Sequence, residues 1–102
     1  EKPGADEIPK AFTLVNPYPN PFNPTTTIEF HVPQRTMISL DIYNATGEFI
    51  RNLWSDEIDP GIHRATWDGR NSNGKLVSSG IFFCRLTIGN AEVMTKKMVL
   101  LR

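Results

Sequence analysis

Two histidines, one cysteine, a serine pair and one loop of oxygen-bearing side chains are the residues of this chain that could do chemistry. Zinc chemistry needs His, Cys or carboxylates at ligand spacing, and nucleophilic catalysis needs a serine or cysteine beside a base. His31 and His63 form no H-x-x-x-H pair, join no Cys/His cluster, and fall in segments that read as strands. Ser78-Ser79 lacks the G-x-S-x-G elbow, and no glycine-rich phosphate loop opens a helix. Cys84 has no second cysteine to pair with and sits in the apolar run Ile81 to Leu86, as a buried small hydrophobe does. Asp68, Asn71 and Asn73 could coordinate Ca²⁺, but one carboxylate is too little charge and the spacing is not that of an EF-hand. Asx residues shape turns on their own account, and that is the favoured reading of the loop. Asn44-Ala45-Thr46 matches the glycosylation sequon and is read as a chance match in a β-turn. The expectation is no catalysis, no metal and no cofactor.

Two other stretches are more informative. Asn16-Pro17-Tyr18-Pro19-Asn20-Pro21-Phe22-Asn23-Pro24 fixes φ at every proline and withholds several backbone donors. It reads as a stiff, extended strap outside the middle of any sheet, with Tyr18 and Phe22 available to pin it down. A ligand for a polyproline-reading domain is disfavoured, because the spacing is not P-x-x-P. Lys96-Lys97-Met98-Val99-Leu100-Leu101-Arg102 sets two cations before an apolar run. As a strand it places Met98 and Leu100 on one face and Lys97, Val99 and Leu101 on the other. It is expected to be accessible from its end, as a handle that a partner reads by strand addition or through side-chain pockets.

These segments need a scaffold, and the rest of the sequence describes one. A length of 102 residues suits a single domain with one modest core. Eleven basic residues balance eleven acidic ones, which argues against nucleic acid as the main partner. No apolar stretch approaches the length of a transmembrane helix, and no signal peptide is visible. Residues 1–11 have linker composition and open on Glu1, so an upstream carrier domain is expected, with the folded domain spanning 12–102.

Short strands punctuated by turns fill the remainder. Phe12 to Val15 is the first. Thr26 to Val32 alternates with Ile28, Phe30 and Val32 inward, and Met37 to Tyr43 repeats this with Ile38, Leu40 and Ile42. A tight connection at Asn44-Ala45-Thr46-Gly47 leads to Phe49 through Trp54, where the odd spacing of Ile50 and Leu53 points to a bulge or an edge. Asp56, Glu57 and Asp59 read as an acidic loop before Ile62 to Trp67, whose anchor is Trp67. After the Asn73-Gly74 turn, Ile81 to Ile88 reads as a central strand buried on both faces. Gly89-Asn90 is read as a two-residue turn into a final strand over Ala91 to Leu101. Seven strands without a crossover helix predict an all-β, immunoglobulin-like Greek-key β-sandwich lacking the Cys…Trp…Cys signature.

The strap and tail together give a resemblance. The sequence is similar to the C-terminal sorting domains of type IX secretion, carried by exported proteins of Bacteroidota and related bacteria. The likeness runs through Asn16 to Ile28, Leu40 to Asn44 with Gly47, Gly61-Ile62-His63, and Trp67-Asp68-Gly69-Arg70. It resumes at Val77 to Phe83 and closes over Lys96 to Arg102. The middle portion also resembles the immunoglobulin-like domain of the flagellar hook-capping scaffold. The resemblance implies that a carrier reaches the periplasm, is recognised by an outer-membrane translocon through Lys96 to Arg102, and is then freed of the domain near the linker by a surface sortase-like protease. It also implies that Gly47, Gly61, Gly69 and Gly80 are geometric positions permitting tight turns. The alternative is an uncleaved immunoglobulin-like module, structural or carbohydrate-associated, of a surface enzyme. Its candidate sugar platform is Tyr18, Tyr43, Trp54 and Phe82, most of which are expected to pack.

Overall fold

The computed structural model describes residues 8–102, so residues 1–7 of the expected linker lie outside the described residues. The strands are β1 (Thr13–Leu14), β2 (Thr26–Val32), β3 (Thr36–Asn44), β4 (Phe49–Ile58), β5 (Gly61–Trp67), β6 (Gly80–Ile88) and β7 (Glu92–Leu100). They form two antiparallel sheets, ordered β1-β2-β5 and β4-β3-β6-β7. This is the expected all-β sandwich, with β4 beside β3 rather than beside β5 as in the constant-type immunoglobulin arrangement.

Alternation builds the core. Ile28, Phe30 and Val32 of β2 meet Ile38, Leu40 and Ile42 of β3, and all six are essentially inaccessible. Trp67 is wholly buried, with the Phe22 ring centroid 5.6 Å away on one side and that of Phe82 at 5.1 Å on the other. Its indole Nε1–H donates to the Arg70 carbonyl at 2.9 Å, so a large apolar anchor is buried without an unpaired donor. Fully burying side chains of this size contributes about 1.5–3 kcal/mol each.

Strand β4 shows why its apolar spacing is odd. Leu40 pairs with Trp54 but Asp41 with Asn52, and Ile42 pairs with Arg51 but Tyr43 with Phe49. Leu53 and Ile50 are therefore the extra residues at two register shifts, which turn both toward the core on an edge strand.

Four expectations need correction. Asp56 and Glu57 belong to β4, which runs on to a buried Ile58. Polar side chains suit the exposed margin of an edge strand, and Arg35 binds both Glu57 and Asp59 across the β3–β4 pair. Strand β6 is central but buried on one face only: Phe82, Cys84, Leu86 and Ile88 point inward, whereas Ile81 and Arg85 are exposed. Its second apolar set lies on the open outer side of the four-stranded sheet. The β6–β7 connection has three residues, because Ile88 pairs with Glu92 and Ala91 N–H donates to the Ile88 carbonyl. The first strand is shorter than read, although Val15 N–H still donates to the Glu29 carbonyl.

Candidate functional site: the clamped end of β7

Strand β7 is the edge of its sheet, and an unprotected edge offers a row of free backbone groups. The proline-rich strap closes the far half of that edge. Tyr18 exchanges both backbone hydrogen bonds with Thr27 of β2, at 3.0 and 2.9 Å. The strap then crosses to the other sheet. Asn20 donates from Nδ2 to the Lys97 carbonyl and accepts from Val99 N–H through Oδ1, both at 2.9 Å. Phe22 N–H donates to the Val99 carbonyl at 2.8 Å, and the Phe22 carbonyl accepts from Leu101 N–H at 3.1 Å. Asn20 lies between Pro19 and Pro21, neither of which has an N–H to give, and Phe22 is the next residue with one. The strap is thus a staple between the sheets. Phe22 pins it as expected, being 2% exposed, but Tyr18 does not: it is 79% exposed and holds by its backbone.

The segment after Trp67 completes the clamp. Asp68 Oδ1 accepts from Arg70 N–H, and both carboxylate oxygens face guanidinium groups, from Arg51 at 3.3 Å and Arg70 at 3.6 Å. Asn71 Oδ1 accepts from the N–H groups of Asn73 and Lys75. Asp68 and Asn71 thus shape the turn through their own side-chain oxygens. Arg102 reaches into this region. Its Nε donates to the Val77 carbonyl at 2.8 Å, its Nη2 to the Gly69 carbonyl at 3.2 Å, and its N–H to Ser79 Oγ at 2.9 Å. Gly69 is needed on two counts. Its φ is +75°, and a Cβ there would sit 2.9 Å from Arg102 Nη2.

The residues picked out in sequence divide clearly. Met98 and Leu100 are wholly buried, and Lys97, Val99 and Leu101 belong to the outer side, with Lys96 half-buried. The expectation of an accessible end holds for the outer side chains and fails for the backbone, which the strap covers from Lys97 to Leu101. The strap (Asn16 to Pro24), the loop from Trp67 to Arg70, Val77, Ser79 and the tail meet at this one end of the sandwich. Gly47 closes the β3–β4 turn at φ +90°, and Gly61 and Gly80 stand at the starts of β5 and β6 with φ of +145° and +158°.

The remaining candidates pack into the fold. His63 stacks on Phe30 at 5.7 Å and contacts the Asp59 carbonyl. His31 Nε2 lies 2.7 Å from Glu29 Oε2, a contact that, with Arg64, holds the Glu29 carboxyl below its ordinary range against the opposing pull of burial. Burial pushes the Cys84 thiol up to about 11. Asn44 Oδ1 accepts from the Thr46 and Glu48 amides and the Thr46 hydroxyl, so the sequon asparagine organises its own turn. Trp54 and Phe82 pack against core rings, and Tyr43 lies under the Arg85 guanidinium at 4.2 Å. No helix among the described residues is long and apolar enough to cross a membrane.

Comparisons fit this picture. The model of the "Secretion system C-terminal sorting domain" family matches residues 16–101, from the strap through the clamped strand. No curated protein matches the chain. Among solved structures it is similar to dimeric latent PorU from Porphyromonas gingivalis, with a TM-score of 0.71, 15% identity, and coverage of 94% of this chain and 10% of that one. PorZ, an essential surface component of the type IX secretion system of the same bacterium, gives 0.53 at 20% identity, covering 90% and 12%. The hook-capping protein FlgD from Xanthomonas campestris gives 0.58 at 17% identity, covering 90% and 63%. The chain thus spans about a tenth of the first two proteins and under two-thirds of the third. These likenesses carry the fold. The family's members are sorting signals of type IX secretion rather than catalysts, and the proteins bearing them are exported to the cell surface or beyond. Its family model takes in nearly the whole folded part, clamp included, and this chain belongs to the secretion system C-terminal sorting domains.

Proposed function

We propose that this domain is read, while folded, by the outer-membrane translocon of a type IX system after its carrier has entered the periplasm. Recognition falls on residues 96–102, and a surface sortase-like protease then removes the domain within or near residues 1–11. The domain itself performs no catalysis. One observation carries this reading: the motif segments, scattered through the sequence, converge to fix one short stretch of β7 and Arg102. Since the strap already pairs with the backbone there, the translocon reads side chains, namely Lys97, Val99 and Leu101, and does not add a strand at that edge.

The test is a signal peptide, a reporter and this chain fused in order and expressed in a bacterium with a working type IX system. Lys97→Glu with Leu101→Asp changes only outer side chains, whereas deleting 96–102 also removes Met98 and Leu100 from the core. Export of the unaltered fusion, with the folded double variant held in the periplasm, is the expected result. Retention of the unaltered fusion overturns the reading and favours an uncleaved immunoglobulin-like spacer.

A further inference from the structure

Strand β7 is covered over only half its length. The outward backbone groups that the strap takes belong to Lys97, Val99 and Leu101. Register with β6 runs without a shift from Leu100 back to Glu92, so the same alternation turns the backbone groups of Val93 and Thr95 outward as well. No described residue pairs with them. Beside this stretch, β1 stands off across a groove of about 410 Å³ lined by Phe12, Thr13, Leu14, Met94, Thr95 and Lys96. Of the devices that blunt an edge, residues 92–96 have neither proline nor bulge, and their one lysine is matched by Glu92. The other edge of the same sheet, β4, carries two register shifts.

Glu92-Val93-Met94-Thr95-Lys96 is its own antiparallel complement. About a two-fold axis through Met94, Val93 meets Thr95 of a second copy and Thr95 meets its Val93, each pair exchanging both N–H···O=C bonds. Met94 meets its own counterpart, and at either end Glu92 of one copy meets Lys96 of the other. Within one chain these two charges lie about 13 Å apart along the strand, and neither has an ion-pair partner among the described residues. Their neighbours on β6 are the apolar Ile88 and Cys84. A shift of two residues either way sets one of the charges against Met94 instead, so the charges select this register. We propose that residues 92–96 of β7 are a pairing edge for a second copy of this chain, antiparallel and centred on Met94, which joins two four-stranded sheets into one. The strap stops the pairing at Lys97, and the outer side chains of Lys97, Val99 and Leu101 stay uncovered. The pairing is independent of the sorting reading. Five residues of edge are little beside the roughly 1,200–2,000 Å² of stable complexes, so the dimer is a weak one.

The test is sedimentation equilibrium of the purified, reduced chain from about 10 µM to about 1 mM, at low salt and about pH 8.5, where screening is weak and the isoelectric point is distant. Expected is a monomer–dimer equilibrium within that range. Lys96→Glu replaces two opposite-charge pairs by two like-charge pairs and should weaken the dimer about tenfold. Glu92→Lys combined with Lys96→Glu sets opposite charges together again and should bring association back, which a structural effect on the monomer would not do. Each variant is first matched to the unaltered chain in circular dichroism and thermal melting. Register is read separately through Met94→Cys, whose paired Cα atoms would lie about 4.5 Å apart, within reach of a disulfide. Under mild oxidation it should give a linked dimer about tenfold faster or more than Ile62→Cys on the opposite sheet, with Cys84 wholly buried in both. A chain that stays monomeric throughout the range overturns the proposal. So does a folded Lys96→Glu variant that dimerises as before, a double reversal that fails to restore association, or equal linking of the two cysteine variants.

Discussion

At the scale of single residues, the clamp makes several side chains worth more than their type suggests. Asn20 serves as a one-residue stand-in for a neighbouring strand, offering a donor to Lys97 and an acceptor to Val99. Asn20→Ala is expected to cost about 1–3 kcal/mol, the loss of two hydrogen bonds to backbone. Asn20→Asp keeps only the acceptor and should fall between. Hydrogen exchange at the Val99 amide reads both, and an unchanged rate in Asn20→Ala would remove the clamp from the account. Gly69→Ala meets both a left-handed backbone and the Arg102 guanidinium. A loss of about 1–3 kcal/mol follows from the backbone alone, seen as a fall of some 4–24 °C in melting temperature for a domain of this size. Glu29 gives a pH-dependent case. Its folded pKa is depressed, so its contribution is present above the unfolded value of about 4.3 and is lost as pH falls through the folded value. Glu29→Gln should therefore cost up to about 1 kcal/mol in urea melts at pH 7, with the gap to the unaltered chain narrowing as the pH is taken down through the acid range. Cys84, with its thiol near 11, should resist alkylation at pH 8 until the domain is unfolded.

At the scale of elements, the last strand cannot be removed as though it were a tag. Deleting 96–102 takes two wholly buried side chains, Met98 and Leu100, each costing about 2–5 kcal/mol even as an alanine substitution. Against a total stability of about 5–15 kcal/mol, the truncated chain is expected to be unfolded or nearly so by circular dichroism. Much of the element layout was legible beforehand. The period-two alternation of β2 and β3 named their core residues, because a sheet with one buried face writes that pattern directly. The odd spacing of Ile50 and Leu53 likewise announced the irregular β4. What misled was polarity without context. Ser55, Asp56 and Glu57 look like a loop because the sequence does not declare an exposed edge, and Ile81 and Phe83 look buried because apolar residues on an outer face resemble those of a core. The candidate site was legible in its parts, strap and tail, but not in their joining. That depends on side-chain contacts to backbone across 77 and 79 residues, to which local periodicity is blind.

At the scale of the molecule, a formal net charge of zero and one apolar outer face combine unfavourably for solubility. The isolated domain should be least soluble near its calculated isoelectric point of about 7.0. Moving the pH by two units in either direction, or substituting Phe49→Lys, is expected to raise the concentration at which light scattering appears. Equal scattering across that range would show that neither charge nor the apolar outer face limits solubility.

The strap comes early in the chain and the strand it holds comes last, so the domain is fastened by its own two extremities. On the ribosome, nothing can occupy Asn20 until almost the entire domain has been synthesised. A product broken off before Lys97 would have the proline-rich half of the fastening and nothing to fasten. Premature termination or proteolytic loss of the tail would leave the strap without its partner, so a closed fastening certifies that the domain was made through to its last strand.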